Sequence, residues 1–127
     1  MSHLTNYLQY RARSFKYAFA GIYYALRTQP NTWIHLTITV LCIMMAAWLK
    51  LPWRDWAVLV LAIVIVWGGE LMNTAVEAIV DMTMPDPHPL AKAAKDVAAG
   101  AVLFLALGAA VVGLLILGPP LWARLPF

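Results

Sequence analysis

Residues 67–81 read WGGELMNTAVEAIVD, a stretch that sets Glu70, Asn73, Glu77 and Asp81 into what is otherwise an apolar, membrane-spanning helix. Steps of three, four and four residues, at about 100° each, bring all four onto one stripe. An ionised carboxylate at mid-bilayer costs about 2.5–3.5 kcal/mol on insertion scales, so a row of them facing lipid works against insertion unless cations or water neutralise it. The stripe therefore predicts a metal-dependent site between helices.

The rest of the chain supports a membrane protein. It has 127 residues, 63% of them hydrophobic and 12% charged, with a mean hydropathy of +0.75. That composition predicts one small integral membrane domain over residues 1–127 rather than a soluble domain. A cleaved export signal ahead of a soluble body is not expected, because no soluble body remains. No charged residue occurs from Leu36 to Leu49, from Trp56 to Gly69 or from Val97 to Ala123. With their polar-edged flanks, these segments predict three spans at about 32–50, 54–82 and 90–117. The lone cysteine, Cys42, implies no intrachain disulfide.

Orientation follows from the Lys and Arg residues. Arg11, Arg13, Lys16, Arg27, Lys92 and Lys95 fall on one side of the predicted spans, and Lys50, Arg54 and Arg124 on the other. The positive-inside bias puts the N-terminal segment and the 82–95 loop in the cytoplasm and the C-terminus outside. Trp48, Trp53 and Trp56 flank the outer Leu51-Pro52-Trp53 turn as interfacial anchors. A continuous helix from Trp53 to Asp81 is about 42 Å long against a core of about 30 Å. Its last turns, with Glu77 and Asp81, then emerge on the cytoplasmic side, with Glu70 just within the apolar region. This depth suits chemistry on a lipid head group.

Ahead of the first span, Leu4, Leu8, Phe15, Phe19, Ile22 and Leu26 share one face of a helical wheel opposite Arg13. An amphipathic helix over about residues 3–28, lying on the membrane surface, is predicted. Arg11 falls inside this apolar stripe, where it either snorkels to head groups or turns inward toward a phosphate. Pro30 and Asn31 break the helix, and Pro85-Asp86-Pro87-His88-Pro89 forms a loop. Lys92 and Lys95 open the third span, opposing the positive end of its dipole, unless they share an anion or serve as positive-inside anchors. Ala94 and Ala98, Ala106 and Ala110, and Ala109 and Gly113 are small pairs that permit close helix contact. Gly118, Pro119 and Pro120 end the span. Three spans alone enclose a polar site poorly, so an oligomer is expected.

Glu70 as a carboxylate base, Asn73 as an amide, Glu77 and Asp81 as metal-ligand candidates and Lys95-Asp96 beyond them form the inventory that phosphoryl transfer needs. Proton-coupled carriers and ion channels place carboxylates and Asn on one helix face too, so a non-enzymatic proton or cation pathway stands beside it. No Walker loop or dinucleotide fingerprint is present. His35, at the start of span one, reads as an interfacial or packing histidine. His88 reads as a cap for span three, and Asp81 as a helix end in water.

GELMNTAVEAIVD at 69–81, followed by HPLAKAAKDVAAGAVL at 88–103, closely resembles the signature of the small bacterial integral-membrane lipid kinases, the diacylglycerol kinase and undecaprenol kinase family. SFKYAFAGI and NTWIH extend the similarity from about Ser14 to Leu117. The resemblance implies an all-α fold with three spans and an N-terminal surface helix per chain. It further implies a homotrimer with composite sites in the bacterial inner membrane, and Mg²⁺-dependent transfer from ATP to a lipid alcohol. Nucleic acid is not among the expected partners. The 88–103 segment looks more like the undecaprenol branch than the diacylglycerol branch.

Position by position, the resemblance makes Glu70 the catalytic base, in contact with the substrate alcohol, and Glu77 the metal-binding glutamate. Asn73 and Asp81 become orienting residues. Tyr17, Gln29, Glu77, Asp86, His88, Lys95 and Asp96 match nucleotide-contacting positions, and Arg11 is carried over as a substrate contact. One departure stands out. The second metal-ligating acid of the family falls at Gln29, whose neutral amide oxygen is here expected to ligate Mg²⁺ in its place.

Overall fold

Three corners, each fixed by a proline and its neighbour, divide the chain into four helices. The computed structural model describes the backbone of residues 2–125 and the side chains of residues 7–125; Leu4 of the predicted apolar stripe and the extreme ends of the 1–127 domain lie outside the described residues. Helix α1 runs Ser2–Thr28, α2 Pro30–Leu49, α3 Trp53–Thr83 and α4 Pro89–Trp122. Helices α2, α3 and α4 cover the three stretches expected to span, with ends shifted by a few residues.

At the first corner Gln29 is extended (φ −109°) because Pro30, at the first turn of α2, disfavours helical backbone in the residue before it. The fully buried Thr32 ties this corner together, its hydroxyl donating to the carbonyls of Gln29 and Ala25. At the second corner Lys50 adopts the left-handed conformation (φ 56°), and its N–H and that of Leu51 return to the carbonyls of Ala46 and Ala47. Arg124, at the end of α4, donates to the carbonyls of Trp48 (2.9 Å) and Leu49 (3.3 Å) and lies over the Trp48 ring. The last carbonyls of α2 are thereby capped by a cation from another helix.

Helix α4 continues past the point where the sequence predicts its end. Pro119 and Pro120 lie inside the helix, which runs to Trp122. Each proline removes one N–H, so the carbonyls of Leu115 and Ile116 lose their ordinary partners. The proline φ is nevertheless helical, and one further turn closes through Ala123 N–H to Pro119 C=O at 3.0 Å.

At 1.5 Å per residue, α2, α3 and α4 measure about 30, 46 and 51 Å, and each is long and apolar enough to cross a bilayer core of about 30 Å. The contact between α3 and α4 dominates the packing. The two helices approach closely at Gly69, where an added Cβ would meet Leu105 Cδ1 at 2.6 Å. Of the predicted small pairs, Gly113 makes no such approach within the chain: a Cβ there would meet nothing within 4 Å. The buried apolar cluster of Ala46, Leu49, Leu51, Leu59 and Leu117 sits around the second corner. Most other apolar side chains stay outside it; Phe104 is 78% and Leu114 72% exposed. Hydrocarbon is as apolar as leucine, so this exposure is inexpensive in a membrane and would be ruinous in water.

Candidate functional site

The polar stripe of α3 descends in burial as it nears the helix end. Glu70, Asn73 and Thr74 are buried, Glu77 is half-buried and Asp81 is exposed. The Thr74 hydroxyl donates back to the Glu70 carbonyl at 2.9 Å, which leaves the Glu70 carboxylate without help from that side chain. Glu70 Oε2 instead lies 3.7 Å from Nε2 of His35 on α2, while Oε1 is buried with no hydrogen-bond partner. Such an orphaned acceptor is costly to keep and marks a place where a donor is received.

Two turns below Glu70, Glu77 is clamped by two amides. Gln29 Nε2 donates to Oε2 at 2.5 Å, and Asn73 Nδ2 donates to Oε1 at 3.0 Å. A carboxylate only accepts, so the amide atoms facing it are the NH₂ groups. The amide oxygen of Asn73 therefore points away, and it too is buried and unpartnered. Gln29 does stand beside Glu77, as the resemblance required. It does so as a donor to the carboxylate, not with its oxygen turned to share a cation.

Beyond the membrane-facing part, Asp81, Asp86, His88, Lys92 and Lys95 line an open cavity of about 690 Å³ between the end of α3, the proline-rich loop and the start of α4. Lys95 Nζ donates to Asp81 Oδ1 at 2.6 Å, and Lys92 Nζ bonds Asp96 one turn along the same helix. Lys95 thus pairs across helices with Asp81, while its chain neighbour Asp96 pairs with Lys92. His88 is the N-cap of α4, with Nδ1 accepting from Leu90 N–H at 3.2 Å. In the neutral ring this leaves Nε2–H free to donate into the cavity.

Two expected residues stand apart. Tyr17 is exposed and lines a separate groove of about 290 Å³ with Gly21, Leu71, Thr74 and Ala78, between α1 and α3. Arg11 is held on α1 by its own neighbour, donating to Tyr7 Oη at 2.9 Å with its guanidinium 5.1 Å from the ring centroid. The residue that sequence reasoning set aside is His35. A signal existed: the pairs His35–Glu70, Gln29–Glu77 and Thr39–Trp67 are all centred on residue 52 or 53. That is the Leu51-Pro52-Trp53 turn, so counting outward from it places His35 level with Glu70.

Residues 16–117 match the family model of prokaryotic diacylglycerol kinase. The chain is 49% identical over 109 residues to a diacylglycerol kinase of Synechocystis, covering 85% of this chain and 62% of that relative. It is 38% identical over 109 residues to an undecaprenol kinase of Bacillus subtilis, covering 86% of this chain and 89% of the relative. A diacylglycerol kinase of Helicobacter pylori is 32% identical over 100 residues, 73% of this chain and 78% of its own. The matched stretch thus spans just under two thirds of the Synechocystis relative.

Proposed function

This chain belongs to the prokaryotic diacylglycerol kinase family, and on that premise we propose that it is a lipid kinase that transfers the terminal phosphoryl group of ATP to a membrane lipid alcohol. The observation that carries the reading is the buried Glu70 carboxylate with one oxygen unpartnered. A lipid hydroxyl is a donor of the right kind to meet that oxygen, and Glu70 takes its proton as the oxygen attacks phosphorus. Asn73 orients the site from the next turn. Asp81, Asp86, His88, Lys95 and Asp96 surround the nucleotide at the cytoplasmic mouth, and Tyr17 approaches it from α1. In this reading α1 lies on the membrane surface, and Arg11 leaves Tyr7 to meet the lipid phosphate or head-group region.

The residues fit Mg²⁺. Among the described residues no three His, Cys, Asp or Glu side chains cluster, but Mg²⁺ uses only one or two protein carboxylates and fills its octahedron with water and phosphate oxygens. Glu77 supplies the carboxylate, and Gln29 can reach the same place. When bound there, the ion neutralises phosphate charge.

Undecaprenol is the preferred alcohol, on the strength of the 88–103 segment. The higher identity to the Synechocystis diacylglycerol kinase favours diacylglycerol as the second reading. Transfer of ³²P from ATP to a panel of both alcohols in mixed micelles tests the function and chooses between them. Absence of label in every lipid would overturn the reading in favour of a nucleotide-independent proton or cation pathway.

Lys95 and Lys92 should separate sharply. A charge-assisted hydrogen bond contributes about 1.5–3 kcal/mol, so Lys95→Ala should raise the KM for ATP at least about tenfold. Lys92 bonds only to Asp96 on the exposed face, and Lys92→Ala should stay within about twofold. Equal, small changes would make both lysines membrane-side anchors.

A homotrimer in the bacterial inner membrane completes the proposal, with the N-terminus cytoplasmic, the C-terminus outside and sites shared between chains. Its support is that one chain leaves Tyr17 and the loop residues in separate cavities. At an ATP concentration well below the raised KM of Lys95→Ala, mixing Glu70→Gln chains with Lys95→Ala chains should therefore give more activity than the two preparations show separately. No recovery after verified subunit exchange would mean that each chain carries a complete site.

A further inference from the structure

We propose that His35 receives the proton that Glu70 takes from the lipid alcohol, serving as the second carrier in the proton's way out of the site. The inference rests on the kinase reading above and adds a residue to it. Glu70 is 1% exposed, so a proton placed on it has no direct path to water. A base that cannot discharge is spent after one turnover. His35 Nε2 lies 3.7 Å from Glu70 Oε2, and the His35 side chain is 15% exposed and stands in the second turn of α2, close to the Gln29–Pro30 corner where that helix begins, which makes it the better connected of the two. The separation is one that a small closure or one bridging water converts into a hydrogen bond. Glu77, the nearest other carboxylate to Glu70 on the same helix, has both oxygens already engaged by amides.

In the transfer step the lipid oxygen forms a bond to the terminal phosphorus of ATP, and the bond from that phosphorus to ADP breaks, its electron pair leaving with ADP. The O–H bond of the lipid breaks, and its proton goes to a Glu70 carboxylate oxygen. It then passes from Glu70 to His35 Nε2, which restores the carboxylate, and the imidazolium gives it up to water at the mouth of the site before the next turnover. His35 acts through Glu70 and does not itself touch the reacting atoms.

The test uses the full-length chain in mixed micelles with ATP, Mg²⁺ and whichever alcohol the wild type phosphorylates. His35→Gln and His35→Ala should each lower kcat about tenfold, less than the loss expected of a direct general base, with both KM values held within about twofold. Added imidazole should restore His35→Ala at least about threefold by entering the vacated space. It should leave His35→Gln unchanged, because the amide fills that space. Unaltered kcat in His35→Gln overturns the inference, including where His35→Ala fails to fold. A loss in His35→Ala that imidazole leaves untouched also overturns it, and makes the histidine a strut between α2 and α3. Lack of transfer by the wild type removes the kinase reading and the proton step together, before any variant is compared.

Discussion

Glu70→Gln should abolish lipid phosphorylation, with turnover lowered by about 10²- to 10⁴-fold, the range that a positioned general base contributes. The substitution keeps the volume of the side chain and leaves the Thr74 bond to the residue 70 carbonyl intact. What it removes is the acceptor. In the native chain Oε1 has no donor and Oε2 faces His35, so the carboxylate is held ready at a cost to stability that its chemistry must justify. A neutral amide relieves part of that cost, and the thermal midpoint of the variant should be unchanged or raised. Nucleotide binding should persist, because Asp86, His88 and Lys95 lie around the separate cavity beyond the end of α3. The decisive comparison is single-turnover transfer against equilibrium ATP binding on the same preparation. Wild-type rates in the purified variant would take the base role away from Glu70.

Period and charge make much of this legible in the sequence. The 3-4-4 spacing of Glu70, Asn73, Glu77 and Asp81 fixes a helix face regardless of tertiary context, and their graded burial follows from packing, with Glu70 covered beside His35 of α2 and Asp81 exposed near the helix end. Prolines 30, 52 and 89 each stand at a helix start, where the missing N–H is harmless. Pro119 and Pro120 differ, since each does cost a bond, yet their helical φ lets α4 run on to Trp122. Partner choice was less legible. Adjacency in sequence suggested Lys95 with Asp96, yet residues side by side on a helix diverge by about 100°. Lys95 therefore reaches Asp81 across the helix pair, and Asp96 finds Lys92 four residues away. Read by itself, His35 is an interfacial or packing histidine at the start of span one. Its meaning lies in the antiparallel register about residue 52, a property of the pair of helices and of neither alone.

Gln29 and Glu77 carry the second large prediction. Glu77→Gln should reduce transfer by at least about 10²-fold, as expected when a phosphate-neutralising metal site loses its carboxylate. The replacement leaves three amides, Gln29, Asn73 and the new one, with no anion among them to attract a divalent cation. Effects at Gln29 should be smaller and of opposite sign for two substitutions. Gln29→Ala removes one of the two donors that hold Glu77, and should raise the Mg²⁺ concentration for half-maximal transfer modestly, about two- to fivefold. Gln29→Glu places a second carboxylate within contact of the first. Two like charges at that distance repel unless a cation lies between them, so this variant should need less Mg²⁺ for half-maximal transfer. It should also lose thermal stability in chelator and regain it on Mg²⁺ addition, a swing that the wild type shows to a smaller degree. The melting measurement needs no substrate, so it reports on the metal site even where transfer fails. If neither Gln29 variant shifts the Mg²⁺ titration and Gln29→Glu melts alike with and without the ion, then Gln29 holds Glu77 for structure alone and the metal sits elsewhere. Should the chain transfer phosphate only after Gln29→Glu, the amide in place of the family's acid has silenced the reaction, and a binding or transport role becomes the better reading of the same carboxylate stripe.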